Sequence, residues 1–324
     1  MAEIVLGLGT SHSPQLSVRY PDWDYMRQKD ETDPRLDYAT LVQRTKRDLT
    51  PELTMAKWQE RYDACQRAIG VLGDVLRRAE PDVIVVFGDD QHEQFLDDNL
   101  PTMAIFHGAT VPVQDQHGPE LLRMFQSARW LEAERAGWAA TLPEYPAAPA
   151  LAEHLIAALA ADDFDVARTN RLRPEVGIGH AFAFLYRRVL PGGSVPMVPV
   201  MLNTYFPPNQ PTPRRCYALG QAMRRAIESW DSDARVAVMA SGGLSHVVID
   251  EDLDQTVLDA LQRKDGARLG ALPREKLRGG TSEILNWVAL AGAVEPMAMT
   301  LVDYVLTYRS LAGTGCGMTF AYWE

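Results

Sequence analysis

Short runs of β-branched and other apolar residues alternate along this chain with longer stretches of helical periodicity. The run VIVVF at residues 83–87 is apolar at every position, as in a strand buried on both faces of a sheet. Further strands are predicted at residues 4–8, 103–106, 195–202, 236–240 and 296–308, and helices at 57–78, 151–161, 213–230 and after Glu283. Thr212 and Pro213 have the residue types of an N-cap and a first helical turn. The alternation predicts an α/β fold with a central, mostly buried sheet flanked by helices.

The size and charge of the chain narrow its class of function. With 324 residues it can bury a large core, and we predict a single large domain over residues 1–324. Two weakly periodic stretches, near residues 18–56 and 127–150, are predicted to be insertions that form a lid or a subunit contact. The net charge of −11 argues against binding to nucleic acid or anionic lipid, which need a basic surface. A small molecule is the expected partner.

The chain is predicted to be a cytoplasmic protein. Its first residues, MAEIVLGLGTSHSPQ, lack the basic region of a signal peptide and are typical of a first strand. No apolar run reaches the roughly 18 residues of a membrane span. Cys65, Cys216 and Cys316 are few and far apart, which suits a reducing compartment better than a disulfide framework.

Histidines and carboxylates follow three of the predicted strands. The segments are GTSH, ending at His12, GDDQHE at residues 88–93, and SGGLSH, ending at His246. In open α/β sheets, ligands bind beyond the carboxyl ends of the strands. A single histidine of this kind is more often a hydrogen-bonded structural residue, but three such segments together favour a functional site.

Five motifs resemble, in combination and in order, those of the class III extradiol ring-cleavage dioxygenases, the family of the catalytic subunit of protocatechuate 4,5-dioxygenase. They are GTSHSPQ, LPTMAIFHG, LNTYFPPNQPTPRRCYALGQA, SGGLSH and EILNWVALAGA, and they extend over most of the chain outside the insertions. The resemblance implies a central sheet flanked by helices. It also implies an Fe(II) ion held by two histidines and one carboxylate, with open positions for a catecholate and O2.

By this resemblance, His12 is the first histidine ligand of the iron and Glu283 is the carboxylate ligand. Imidazole and carboxylate groups hold Fe(II) without saturating it, so that substrate and O2 can bind together. Each residue also has a simpler structural interpretation. His12 can cap a strand-to-helix turn, and a first-turn carboxylate such as Glu283 is favoured by the helix dipole.

The second histidine ligand is where the chain departs from the family pattern of Asp-His, three residues, then Phe. The corresponding segment here is GDDQHEQF, and counting back from Phe95 leads to Gln91. We expect His92 to be the ligand, because a glutamine or a second carboxylate would change the affinity and the charge of the iron site. Asp90, Gln91 and Glu93 remain alternatives.

The resemblance also implies roles for four residues beside the metal. His246 matches the acid/base histidine that takes a proton from the catechol, and imidazole is the side chain best suited to proton transfer at neutral pH. His180, in GIGHAFAF, resembles a second active-site histidine, with a purely structural helix-start histidine as the alternative. Asn203 and Tyr205 are expected to donate hydrogen bonds to the substrate, although the prolines around them also fit a simple loop.

The hypothesis is a non-haem Fe(II)-dependent extradiol cleavage of a catechol-type ring by O2, in aromatic compound catabolism. A metal-dependent hydrolase or lyase remains an alternative because GDDQHEQF is unusual. A non-catalytic binding protein is a third possibility, because fold does not fix function. The family resemblance favours a homo-oligomer, a dimer.

Overall fold

The computed structural model describes residues 1–113, 144–174 and 176–324. The strands are β1 (Glu3–Thr10), β2 (Val83–Asp89), β3 (Met103–Phe106), β4 (Thr110–Pro112), β5 (Glu144–Pro146), β6 (Ala167–Thr169), β7 (Met197–Leu202), β8 (Arg235–Ser241), β9 (His246–Val248), β10 (Met299–Leu306) and β11 (Thr314–Trp323). The helices are α1 (Pro14–Ser17), α2 (Trp23–Thr32), α3 (Tyr38–Arg44), α4 (Met55–Ala79), α5 (Pro149–Ala161), α6 (His180–Phe184), α7 (Pro213–Glu228), α8 (Glu251–Gln262), α9 (Gly266–Gly270) and α10 (Ile284–Ala293). Short 3-10 turns lie at Tyr20–Asp22, Thr50–Leu53 and Gly279–Glu283, and a π-helical turn, Leu185–Val189, continues α6.

Nine of the described strands form one sheet. Their order is β10-β11-β1-β8-β2-β7-β3-β6, and β9 pairs with β11. The four strands β1, β8, β2 and β7 are parallel, whereas β11 and β3 run antiparallel to β1 and β7 respectively. Parallel neighbours bring their carboxyl ends to one edge of the sheet, where ligand sites of α/β proteins lie. The predicted α/β class, with a buried central sheet flanked by helices, is confirmed.

Helices cover both faces of this sheet. One face packs against α5, α7, α8 and α10 in a core that includes Phe87 and Trp287. The other face packs against α4 and α6 around Leu72, Val86 and Phe182. Every residue of β2 is buried, as its continuous apolar run predicts.

Helices α7 and α10 touch at two glycines. A Cβ atom at Gly220 would lie 1.9 Å from the Ala289 carbonyl oxygen, and one at Gly292 would lie 2.2 Å from the Tyr217 carbonyl oxygen. Only glycine allows two helix backbones to approach so closely. This contact fixes α10 on the sheet and, with it, the position of Glu283, which directly precedes the helix.

The predicted insertion at residues 18–56 packs against the rest of the fold. The indole N–H of Trp23, 1% exposed, is 3.1 Å from the Gln15 carbonyl oxygen and 3.2 Å from the Val18 carbonyl oxygen. Arg309, in the β10–β11 loop, donates to both carboxylate oxygens of Asp30 on α2, and both side chains are buried. A role as a lid or a subunit contact stays a prediction. Of the second predicted insertion, residues 127–143 lie outside the described residues.

The predicted helices and strands are present, with shifts at their ends, but several further elements, among them helix α8 and strand β11, were not anticipated. The side chain of Thr212 caps α7 by accepting a hydrogen bond from the Arg215 N–H, as predicted. Strand β11 contains Gly315 and Gly317, and glycine weakens the strand pattern of a sequence. None of the helices in the described ranges has the length and apolarity that crossing a membrane requires.

Candidate metal centre

The candidate site lies at the carboxyl ends of the parallel strands. His12 follows β1 by two residues, Asp89 ends β2 and Ser241 ends β8. Because these strands are adjacent and parallel, the three residues meet at one edge of the sheet. Glu283 reaches the same place from the start of α10, with its Oε2 3.4 Å from Nε2 of His12.

Two successive hydrogen bonds hold the imidazole of His12 in one tautomer. The Ser241 hydroxyl donates to the Ala181 carbonyl at 2.5 Å, so its oxygen accepts from Nδ1 of His12, 3.0 Å away. Nδ1 therefore carries the hydrogen, and Nε2 presents a lone pair. This Nε2 is buried and has no hydrogen-bond partner among the described residues, yet it faces the Glu283 carboxylate. Two acceptors in that arrangement repel unless a cation or a proton lies between them.

Glu93 orients His180, the first residue of α6. Oε1 of Glu93 accepts from the His180 backbone N–H at 2.8 Å and from Nδ1 at 2.9 Å. Nε2 of His180 faces His12, Asp89 and Glu283, the residues that we call the cluster, and it lies 3.5 Å from the Gln91 amide nitrogen. The rings of His12 and His180 meet edge to face with their centroids 4.6 Å apart. Burial disfavours the charged imidazole, but the Glu93 carboxylate outweighs burial and raises the pKa of His180 to about 10.

Both oxygens of Glu283 are engaged. Oε2 accepts from the Gly243 N–H at 2.8 Å, whereas Oε1 accepts from the Tyr205 hydroxyl at 3.3 Å and the Gln91 amide at 3.5 Å. Burial favours the neutral form, but His246 and His12 lower the pKa of Glu283 to about 2. The carboxylate is therefore ionised at neutral pH and able to bind a cation.

His246 also presents its Nε2 to the cluster. Its Nδ1 is 2.9 Å from the Leu244 carbonyl oxygen, to which it donates, and its Nε2 is 3.2 Å from Oε2 of Glu283. The backbone of His246 is held on both sides by the Thr281 hydroxyl. Gly243 leaves the space that the ring occupies, because a Cβ atom there would lie 2.3 Å from Cε1 of His246.

These donor atoms fit a divalent metal ion. Ligand atoms of His12, Asp89 and His180 lie within 4.8 Å of one another. Two imidazoles and one carboxylate are the ligand types of mononuclear non-haem iron sites. Burial, and then the nearby Glu283, raise the pKa of Asp89, and a bound cation would favour its ionised form. The unpartnered Nε2 of His12 points to the same conclusion.

The structure does not bring His92 together with His12 and Glu283. The His92 ring stacks on Phe206 with centroids 3.6 Å apart, and its Nε2 lies 3.3 Å from Oδ1 of Asp97. Within the described ranges, His92 belongs to no group of residues arranged to hold a metal. Its backbone has φ +60°, a left-handed conformation that is uncommon outside glycine.

Gln91 enters the cluster instead. Its amide nitrogen donates to Oδ2 of Asp89 at 2.9 Å. The loop that carries it is held by Asp90, whose carboxylate accepts from the backbone N–H groups of Gln94 and Phe95. The Asp90 carboxylate is therefore used within its own loop. Gln91, the residue reached by counting back from Phe95, is the one whose side chain points towards Asp89.

Tyr205 contacts the cluster, whereas Asn203 is used within its own loop. The Asn203 amide donates to the Phe206 carbonyl and to Oδ1 of Asn209, and its oxygen accepts from the Phe206 N–H. Burial, with Glu283 nearby, raises the pKa of Tyr205, so the phenol stays protonated and donates to that carboxylate. The structure thus places Tyr205 at the site and Asn203 behind it.

Sequence reasoning did not single out Asp89. Its position could have identified it, because Asp89 is the last residue of the buried strand VIVVFGD. This strand lies in the same sheet as the strand that leads to His12. The sequence pointed to Gln91 only as one of the alternatives to His92.

Comparison with known proteins assigns the chain to a family. The family described as the catalytic LigB subunit of aromatic ring-opening dioxygenase matches residues 51–319, a range that includes Asp89, His180, His246 and Glu283 but begins after His12.

Curated relatives share about a third of their aligned residues with this chain. Gallate dioxygenase of Pseudomonas putida is 35% identical over 176 residues, covering 50% of each chain. The 2,3-dihydroxyphenylpropionate/2,3-dihydroxicinnamic acid 1,2-dioxygenase of Cupriavidus necator is 32% identical over 186 residues, covering 56% of this chain and 49% of the relative. The match therefore spans about half the length of these relatives. Because the family match covers most of the chain, this protein belongs to the family of catalytic subunits of aromatic ring-opening dioxygenases.

Proposed function

We propose that this protein is a non-haem Fe(II)-dependent extradiol dioxygenase that opens a catechol-type ring with O2. The observation that carries the proposal is the buried, unpartnered Nε2 of His12, which faces the Glu283 carboxylate beside His180 and Asp89. Family membership supports it, as do relatives named for oxidising gallate and 2,3-dihydroxyphenylpropionate. Adjacent hydroxyls on an aromatic ring are thus the expected feature of the substrate.

His12 and His180 would supply the imidazole ligands, with His180 in place of the expected His92. The carboxylate ligand would be Glu283, which the family resemblance favours and whose Oε2 lies 3.4 Å from Nε2 of His12. Asp89 is the alternative, because its ligand atom lies within 4.8 Å of those of His12 and His180. Metal content of the Glu283→Gln and Asp89→Asn variants separates these two carboxylates. Fe(II), when bound, would supply neighbouring positions for catecholate and O2 between which electrons can pass.

His246 is the candidate catalytic base. Because its Nδ1 donates to the Leu244 carbonyl, the neutral ring carries its lone pair on Nε2, which faces the cluster beside Glu283. A catechol hydroxyl bound there would pass its proton to this atom. Tyr205 would hold Oε1 of Glu283 and leave Oε2 directed at His12, and Asn203 would act by holding the loop that carries Tyr205.

The test is O2 consumption by protein reconstituted anaerobically with Fe(II), with absorbance recorded in parallel. Catechol, protocatechuate, gallate and 2,3-dihydroxyphenylpropionate form the substrate panel. We expect O2 uptake matched by a yellow ring-opened product. Tightly bound iron without turnover of any member of the panel would contradict the proposal for this substrate class. Failure to bind iron, with zinc bound in its place, would favour the hydrolase or lyase alternative.

Variants assign the roles of the histidines. His12→Ala should lose both iron and activity, whereas His246→Gln should keep iron and lose turnover. His154→Ala is the matched control, because His154 bonds to the Ala226 carbonyl and the Ser229 hydroxyl outside the cluster. A His12→Ala variant with full iron content would remove that residue from the metal site.

A homodimer and a cytoplasmic location are further proposals, which are based on the family resemblance and on the scattered cysteines. Light scattering on the purified protein and fractionation of the source cells would test them. A monomeric active enzyme would contradict the first, and recovery from a membrane or secreted fraction would contradict the second.

A further inference from the structure

We propose that Glu93 is a positioning residue that makes His180 a metal ligand in this chain. The inference rests on the proposed function, because it assumes that the cluster around His12 holds a metal ion. It concerns the part of the site where the sequence departs from its family, since the family spacing, counted back from Phe95, leads to Gln91 and not to a histidine.

One carboxylate oxygen sets both the place and the tautomer of His180. Oε1 of Glu93 accepts from the backbone N–H and from Nδ1 of His180, so the ring is fixed to its own backbone through a single acceptor. Because Glu93 holds the hydrogen on Nδ1, a metal ion would displace the proton on Nε2, the atom that lies with His12 and Asp89. Metal-binding histidines commonly donate their second ring N–H to a carboxylate in this way.

The burial of the Glu93 carboxylate is unfavourable for the stability of the fold. Glu93 is 7% exposed, and its Oε2 has no hydrogen-bond partner within the described residues. A buried carboxylate oxygen without a donor is unfavourable for folding. The contacts that favour the carboxylate here are the two hydrogen bonds that its Oε1 accepts from His180.

Gly179 provides the space for this carboxylate. A Cβ atom at Gly179 would lie 2.5 Å from Oε2 of Glu93, although the backbone there has an ordinary φ of −58°. The glycine is therefore needed for room and not for its conformational freedom. Arg173 holds the backbone of Glu93 by donating from Nη1 to its carbonyl oxygen at 3.2 Å.

A double-mutant cycle on metal affinity tests the proposal. Apo-protein of the wild type, Glu93→Gln, His180→Ala and the double variant is titrated anaerobically with Co(II) in competition with a chelator. Loss of a carboxylate behind a histidine ligand typically weakens metal binding about 10–100-fold, and we expect that loss for Glu93→Gln. If Glu93 acts through His180, the double variant should bind Co(II) no more weakly than His180→Ala. Wild-type affinity in Glu93→Gln, or losses that multiply in the double variant, would overturn the proposal.

A second variant and a control make the result independent of folding. Gly179→Ala should displace Glu93 and change the Co(II) absorption spectrum towards that of His180→Ala, with wild-type circular dichroism. Glu251→Gln is the matched control, because Glu251 accepts from the Tyr308 hydroxyl at 2.6 Å outside the cluster, and it should bind Co(II) like the wild type. A wild type that binds no metal would refute the proposed function itself. A wild type that binds metal and cleaves catechols, with Gly179→Ala spectrally unchanged, would overturn only the role of Glu93.

Discussion

Replacing Arg309 with methionine should lower the free energy of unfolding by about 3–5 kcal/mol, because Asp30 would remain buried as an unpaired charge. Arg309 and Asp30 form a two-point ion pair, Nε to Oδ2 at 2.5 Å and Nη2 to Oδ1 at 3.2 Å, and their side chains are 10% and 7% exposed. Nη1 also donates to Oε1 of Gln15 at 3.1 Å, so a second buried acceptor loses a partner. Lys29, the neighbouring residue on α2, also attracts the Asp30 carboxylate, which favours a loss of stability in the lower half of this range.

Urea unfolding of the wild type, Arg309→Met and Arg309→Met/Asp30→Leu measures this effect. The double variant should recover most of the lost stability, because an apolar pair of similar size leaves no charge buried. Arg78→Met is the control. Arg78 pairs with Glu324 at 3.6 Å with both side chains more than half exposed, so its loss should cost about 0–1 kcal/mol. A loss of less than about 1 kcal/mol for Arg309→Met, or a double variant as unstable as the single one, would refute the reasoning.

Three further predictions concern packing, pH and metal. Gly9→Ala should destabilise the fold by about 1–3 kcal/mol, because a Cβ atom there would lie 2.3 Å from the buried ring of Trp287. By contrast, Gly70→Ala, where a Cβ atom would meet nothing within 4 Å, should stabilise helix α4 by about 0.5–1 kcal/mol, and thermal unfolding compares the two. Burial raises the pKa of Asp254 from 3.8 to about 6, so its ionisation opposes folding and stability should fall as pH rises. From about pH 5 to about pH 7.5 this group accounts for a loss of about 1.4 kcal/mol, which Asp254→Asn should remove in urea titrations at the two pH values. Co(II) or Fe(II) should raise the melting temperature of the wild type but not of His12→Ala; equal shifts in both would contradict a site at His12.

The class of fold could be predicted because the burial pattern of a strand or helix is local. VIVVF is buried throughout, and Thr212 caps its helix as its residue type indicates. Strand β11 was missed because its glycines are required by close contacts that form only in the folded chain. A Cβ atom at Gly317 would lie 2.2 Å from Oδ2 of Asp254, and one at Gly315 would lie 2.4 Å from the Thr307 carbonyl oxygen. Close contacts of this kind do not produce the alternation of apolar and polar residues by which a strand is recognised in a sequence.

The candidate site was predictable where a motif fixes a residue on an element, and less so in the loop after β2. His12, His246 and Glu283 are brought together as the resemblance implies. Which residue of GDDQHEQF points inward depends on the left-handed backbone of His92 and on the capping of the loop by Asp90, and spacing alone reveals neither. His92 was the expected ligand because of its chemistry, whereas the backbone directs Gln91 to the cluster.

The position of β1 in the sheet has a consequence for how the protein is made. This strand, which leads to His12, lies between β8 and β11, both of which leave the ribosome long after it. During synthesis both of its edges stay without their native partners, and exposed apolar strand edges are prone to wrong pairing. His12 cannot meet Glu283 until the second half of the chain has been synthesised, because the strands that flank β1 and the helix that follows Glu283 all lie there. Metal capture is therefore expected as a late event in folding, after the sheet has closed around its first strand.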